Sequence, residues 1–299
     1  MLSILIPTRD YTCYQLVYDL HAQAERLGVP YEIIVAEDGS RSQVNIIANH
    51  KITDLSHCRH LVRKECIGPA EIRNELAREA VYGWIIFIDS DAKVEKEDFL
   101  RTYLDNAGKA DVIVGGLYHQ NVNHDPNVTL RFKYEKEADK HRSADERSKE
   151  PYGKFTTFNF MMRRSTFLCI LFDTRCKQYG YEDALFGVEI KRRGIAILHI
   201  DNPLLHKGLD TNEVFLRKSE MALRNLKILN GSMESHSYVG RAFAALRHYR
   251  MAWAMRLFFR TFGSLMKRNL MSENPSLFLF SVYKLGYYST LKEGRNNIQ

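Results

Sequence analysis

Paired cysteines are missing from this chain. Its five, Cys13, Cys58, Cys66, Cys169 and Cys176, are odd in number and form no CxxC, which argues against a disulfide framework and a cysteine-rich zinc site. No uninterrupted apolar run approaches the ~18 residues of a membrane-spanning helix. The opening "MLSILIPTRD" has no basic region and no small-residue cleavage site, so no secretory signal is expected and a reducing cytoplasm is the expected compartment. Neither GxxxxGK[ST] nor GxGxxG occurs, and the pair Gly115 and Gly116 is a weak signal alone. Any bound phosphate must then be held by a metal and basic side chains. Acids are absent from one stretch: residues 241–270 hold seven Lys or Arg and no Asp or Glu. The rest of the chain balances, so the net charge of +7 belongs to that segment.

What is present is enough for a large core, with 299 residues of which 45% are hydrophobic. Short β-branched runs at 2–7, 31–38, 59–63, 84–89, 111–118 and 195–200 read as strands, and Tyr14 to Leu27, Ala70 to Tyr82 and Lys96 to Ala107 repeat apolar residues at helical spacing. Apolar strands alternating with helices predict an α/β fold, a mostly parallel sheet covered on both faces. From about 213 the pattern turns helical, with Gly231 expected to end the helix that starts there. The expected division is a domain over 1–212 and a basic, amphipathic helical region over 213–299. The mixed charges of 133–150 read as a solvated helix or mobile loop.

In parallel sheets, ligands bind at the carboxyl ends of the strands. Three strands here end in "PTRD", "AEDGS" and "DSDA". Such residues are also ordinary turns and caps, but three acidic ends in one crevice favour function. Asp89 and Asp91, two apart, project the same way if extended geometry persists, with Ser90 between them pointing away. A hard divalent ion, Mg²⁺ or Mn²⁺, would relieve their repulsion and complete its shell with phosphates and water. Alternatively Asp91 caps the next helix and Asp89 closes a turn.

The motifs "LSILIPTRD", "EIIVAEDGS", "GPAEIRNELAREA" before "GWIIFIDSDAKV", and "GYEDALFGVEIKRRG" resemble, in order and spacing, those of glycosyltransferase family two. The resemblance spans roughly 1–212. It implies the Rossmann-like GT-A fold and an inverting transferase using a nucleotide-diphosphate sugar. It further implies that Pro7, Thr8 and Asp38 hold the nucleotide base, Arg73 faces the nucleotide, and Asp91 ligates the metal. Asp89, with Ser90, would lie nearer the ribose or reach the metal through water. Asp183, beside Glu182, falls at the place of the general base, although two acids also suit the first turn of a helix. His206 is similar to a histidine that completes the metal site in some members, though a structural histidine is equally expected. Two departures are "PTRD", which brings Arg9 and Asp10 to the site, and "EDGS", with Glu37 in place of Asp.

Within 251–266, Met251, Met255, Phe258, Phe262, Leu265 and Met266 are expected on one helical face, with Arg256, Arg260 and Lys267 nearly opposite. Such a helix suits an anionic membrane surface, or packs on the catalytic domain with its basic side solvated. No nucleic-acid-binding motif accompanies the charge. The expected protein is a peripheral transferase on the inner face of the membrane, acting on a glycan or lipid-linked glycan acceptor in surface polysaccharide synthesis. Its competitors are a silent sugar-nucleotide binder or membrane scaffold, and a nucleotidyltransferase.

Overall fold

The computed structural model describes residues 1–123, 125–175, 180–229 and 237–292. Cys176 and Gly231 lie outside the described residues. The chain packs as two compact units, one of Met1–Gln120, Asp139–Lys177 and Glu182–Gly208, the other of Asn121–Ala138, Gln178–Tyr181 and Leu209–Gln299.

The strands of the first unit are β1 (Leu2–Thr8), β2 (Tyr31–Asp38), β3 (Cys58–Arg63), β4 (Trp84–Ile88), β5 (Ala92–Lys93), β6 (Val112–Val114), β7 (Leu117–Tyr118), β8 (Asn159–Arg163), β9 (Ile197–His199) and β10 (Leu204–His206). Seven form one sheet in the order β3-β2-β1-β4-β8-β6-β9. The pairings are parallel except those of β8, which runs antiparallel to β4 and β6. A smaller sheet has the order β5-β10-β7.

Strand alternation divides the core between the two faces of the large sheet. Ile4, Ile6, Ile33, Val35, Ile86 and Ile113 pack with Leu16, Val17 and Leu20 of α1 (Tyr14–Leu27). Leu5, Ile34, Ile85, Phe87 and Val112 pack against Ile72 and Leu76 of a helix over Pro69–Glu79, and against Phe186 and Ile190 of one over Glu182–Arg192. The expected two-sided α/β fold is the observed one. Ile85–Ile88 are fully buried. At about 2 kcal/mol for each such side chain, their burial exceeds the roughly 1–4 kcal/mol by which two carboxylates ~4 Å apart repel. A buried strand can therefore carry a paired-acid terminus.

The structure corrects several expectations. The expected strand 111–118 is two, in different sheets. Gly116, at φ +89, makes the turn between them, and a Cβ on Gly115 would lie 2.5 Å from Asn159 Nδ2. The glycine pair thus switches the chain from one sheet to the other. The stretch 133–150 is mostly helical, within Thr129–Asp139 and Ala144–Ser148, and is not simply solvated. Glu135 and Arg147 are buried, and Arg147 donates to the carbonyls of Val114, Gly115 and Ile200.

In the second unit, helices over Asn212–Ile228, Tyr238–His248, Ala252–Leu270 and Leu277–Thr290 account for most of the described residues. Leu130, Phe215, Leu216, Met266, Leu270, Phe280 and Tyr283 form its core. Met266 is therefore buried, apart from Phe258, Phe262 and Leu265 with which the helical pattern had grouped it on one face, and Met255 is half-buried. The exposed apolar residues of the 252–270 helix are Trp253, Leu257, Phe258, Phe262 and Leu265. Among the described residues no helix is long and apolar enough to cross a membrane.

Candidate active site

The first two strand ends are tied together by backbone donors. Asp10, at φ +52, accepts from the amides of Arg41 (2.6 Å) and Ser42 (2.8 Å). Asp38 accepts from those of Ile67 (2.7 Å) and Gly68 (3.0 Å), fixing the loop ahead of the Pro69–Glu79 helix. Cys66 Sγ donates to Asp38 (3.3 Å) and Arg9 Nη1 donates to that sulfur (3.0 Å), so Arg9, Asp38 and Cys66 share one corner. Thr8 is buried and donates to the Tyr11 carbonyl (3.2 Å), while Pro7 is half-buried. A Cβ on Gly39 would lie 2.4 Å from Cys66 N, so this corner closes around a glycine.

Glu37 has a different role. It is fully buried and takes hydrogen bonds from Ser40, from Asn49 (2.8 Å) and at His60 Nε2 (3.3 Å). Burial alone would raise its pKa, but these partners outweigh that and lower it. The "EDGS" departure is thus a buried, hydrogen-bonded carboxylate at the strand end. Its partner His60, on β3, carried no sequence signal.

The D-x-D segment is a turn. β4 ends at Ile88, and Ala92 N donates to the Asp89 carbonyl (3.1 Å). Extended alternation stops there, so the two carboxylates take separate partners. Arg73 Nη2 donates to Asp89 Oδ1 at 2.5 Å, and its Nη1 donates to the Pro69 carbonyl at 2.9 Å. Arg73 is buried, and its Nε has no hydrogen-bond partner among the described residues. Burial raises the Asp89 pKa, Arg73 opposes this, and the Asp91 charge adds to it. Ser90 is half-buried between them.

Asp91 pairs with His206 because the small sheet is built around it. His206 on β10 stands opposite Ala92 on β5, and Lys207 N donates to the Asp91 carbonyl at 3.0 Å. His206 Nε2 then lies 2.9 Å from Asp91 Oδ2. A Cβ on Gly208 would clash with that same oxygen, so a side chain there would displace the Asp91 carboxylate from its present position. The Asp91–His206 contact is a hydrogen bond, and an imidazole beside a carboxylate is a donor set that would suit a divalent cation. No group of three or more His, Cys, Asp or Glu among the described residues is arranged to hold an ion. A carboxylate and an imidazole leave most of an ion's shell to substrate oxygens and water, as Mg²⁺ prefers. Tyr11 borders this pair: burial raises its pKa and the Asp91 charge adds to the shift.

Glu182 and Asp183 open the 182–192 helix. Asp183 Oδ1 accepts from Ala184 N at 2.7 Å. Burial, then the Glu182 charge, push the Asp183 pKa up to about 7, against the Ala184 amide and the Arg73 charge. Arg73 thus acts on two carboxylates, Asp89 by contact and Asp183 through its field. The arrangement can hold an anionic ligand near Arg73, a cation at Asp91 and His206, and a proton at Asp183.

Sequence reasoning missed His119 and Asp139. His119 Nε2 lies 2.9 Å from His206 Nδ1, and His119 Nδ1 lies 3.1 Å from Asp139 Oδ1. The signal available was position alone, since His119 follows a strand as the other polar ends do.

Residues 3–171 match glycosyl transferase family 2. No curated protein sequence matches the chain. Among solved structures, the mannosyltransferase PcManGT from Pyrobaculum calidifontis, in complex with GDP-Man and Mn²⁺, is similar at TM-score 0.54 and 13% identity, over 96% of this chain and 84% of that one. S. aureus TarS 1-349 is similar at TM-score 0.50 and 14% identity, over 96% and 89%. The same figures hold for TarS 1-349 in complex with UDP-GlcNAc. At these identities the likeness is one of fold.

Proposed function

We propose, from the premise that this chain belongs to glycosyl transferase family 2, that it moves a sugar from a nucleoside diphosphate to a hydroxyl of a glycan or lipid-linked glycan, with inversion at the anomeric carbon. The observation that carries this reading is the Asp91–His206 donor pair, 2.9 Å apart, at the end of the strand whose other acid, Asp89, binds Arg73. Solved relatives bound to GDP-Man and to UDP-GlcNAc support the donor class.

In this reading Pro7, Thr8, Arg9 and Asp38 bound the base, and Arg73, Asp89 and Ser90 bound the ribose and diphosphate. Asp91 and His206 would hold Mn²⁺ or Mg²⁺, which stabilises charge on the departing diphosphate more as the bond breaks. Asp183 accepts the proton of the attacking hydroxyl, and the Glu182 charge keeps it basic. A panel of nucleotide sugars, scored for Mn²⁺-dependent thermal stabilisation and transfer, tests the reading. One donor should stabilise the protein by about 2.7 kcal/mol at a hundred times its Kd. Binding without turnover of any donor would favour a silent sugar-nucleotide binder.

The basic helix supports attachment to an anionic bilayer, as expected of an enzyme of surface polysaccharide synthesis on the inner face of the membrane. On the 252–270 helix, Trp253, Leu257, Phe258, Phe262 and Leu265 are exposed on the side away from Gly263, Met266 and Leu270, and Arg256, Arg260 and Lys267 flank them. Each cation near such a surface contributes about 1 kcal/mol. Because Met266 and Leu270 belong to the core, deleting the helix would unfold the unit, and surface substitutions are the cleaner test. The full chain should float with phosphatidylglycerol vesicles and not with neutral ones, and Trp253→Ser with Phe258→Ser should abolish flotation. Equal flotation of variant and wild type would overturn the attachment.

A further inference from the structure

We propose that His119 and Asp139 are positioning residues that fix which ring nitrogen of His206 faces Asp91. The inference rests on the reading of Asp91 and His206 as a cation site. It starts from register. β10 and β7 are parallel with Leu205 opposite Tyr118, which brings the residues that follow, His206 and His119, side by side. The rings meet edge to face at 5.0 Å, with His119 Nε2 2.9 Å from His206 Nδ1.

The proton logic of this chain runs one way in the cation-holding state. For His206 Nε2 to offer a lone pair beside Asp91, the ring's single proton must sit on Nδ1. That proton needs an acceptor, and the atom in place is His119 Nε2. His119 Nε2 accepts only if His119 carries its own proton on Nδ1, and the atom 3.1 Å from Nδ1 is Asp139 Oδ1. In that state Asp139 takes the His119 Nδ1 proton, against Arg142 Nη1, a donor 3.1 Å from the same nitrogen that favours the reverse order.

Asp139 is built for that task. Its Oδ2 accepts from His119 N at 3.2 Å, so the carboxylate grips main chain and ring of one residue. Arg142 Nη1 donates to Oδ1 at 2.5 Å and lies 3.1 Å from His119 Nδ1. Although burial raises the Asp139 pKa, His119 and Arg142 outweigh it and hold it at about 2. The acceptor at the end of the chain is thus a fixed anion. Water cannot easily stand in for His119, whose side chain is 1% exposed.

The alternative is a buried pair that only fastens the end of β7, and it predicts no effect on the cation. Outer partners of metal-bound histidines are worth about 10- to 100-fold in metal affinity. Mn²⁺ affinity of the full chain, read by electron paramagnetic resonance, should therefore fall about 10- to 100-fold in His119→Phe, which keeps the ring and removes both nitrogens. His119→Gln, whose amide reaches the Nε2 position, should stay within about threefold of wild type. Asp139→Asn can donate to His119 Nδ1 and reverse the chain, so it should fall with His119→Phe. In wild type saturated with Mg²⁺, ¹⁵N NMR should place the His206 proton on Nδ1. Melting temperature without metal serves as the folding control. Wild-type Mn²⁺ affinity in folded His119→Phe overturns the proposal and leaves the cation site standing, whereas a His206 proton on Nε2 with metal bound removes His206 from the site and overturns both. Failure of wild type to bind Mn²⁺ overturns both.

Discussion

Asp183→Asn is expected to lower kcat by about 10²- to 10⁴-fold, the worth of a positioned general base. Nucleotide-sugar binding should be retained, since Asp183 faces the acceptor hydroxyl in this reading. The pH profile carries the sharper test. With its pKa raised to about 7, Asp183 is protonated and cannot accept a proton in mildly acidic solution. The kcat/KM of wild type should then rise about tenfold per pH unit up to roughly pH 7 and level off. Burial is the first cause of that shift and the Glu182 charge the second. Glu182→Gln should therefore move the acid limb to lower pH without removing the plateau. The stability sign follows from linkage. The folded pKa lies far above the ordinary carboxylate range, so the contribution of this group is fully present below that range and lost as pH rises through about 7. Above pH 8 the Asn variant should melt higher than wild type. An acid limb unchanged in Glu182→Gln would remove Asp183 from the role.

Asp91→Ala should cost about 10³-fold in transfer and abolish Mn²⁺-dependent donor stabilisation, a loss on the scale of removing one electrostatic stabiliser from an active site. The expectation follows from how few donors the protein supplies. Asp91 Oδ2 and His206 Nε2 are the pair in place, and removal of one leaves a single imidazole. Asp89→Asn should behave differently, because Asp89 is bonded to Arg73 and its loss leaves a buried guanidinium without its counter-ion. The Asp89 side chain is 31% exposed, so the cost lies below the about 3–5 kcal/mol of breaking a fully buried pair. That variant should lose thermal stability where Asp91→Ala does not. Donor stabilisation by Mn²⁺ surviving Asp91→Ala would place the cation elsewhere.

The long strands were legible because Ile, Val, Leu and Phe at positions such as 4–6, 33–35 and 85–88 bury on both faces, and a run of that kind has few other uses. Three strand ends were legible for the same reason, as polar residues stood where apolar ones stopped. β5 and β10 were not, since two or three residues show no period, yet their pairing brings His206 to Asp91. β8 was not among the expected strands because its antiparallel course breaks the strand–helix alternation. His119 meets His206 across 87 positions of chain, a distance that no local pattern spans. Periodicity grouped Met266 with Phe258, Phe262 and Leu265, but the 252–270 helix is apolar on two sides, and Met266 belongs to the buried one.

The place of β8 has a consequence for synthesis. β4 and β6 are finished by Val114, but the strand between them begins at Asn159. A chain still growing through that interval presents the edges of β4 and β6, with apolar side chains at Phe87 and Ile113, and no neighbour to cap them. Unpaired strand edges of this kind invite pairing with other chains. Neither partner of β6 precedes it in the chain, since β8 is Asn159–Arg163 and β9 is Ile197–His199, so the β4–β8–β6 pairings need residues that follow Val114 by more than forty positions. Asp89 N donates to the Phe158 carbonyl (3.1 Å), so the paired-acid turn gains its outer anchor only when the segment leading into β8 is in place.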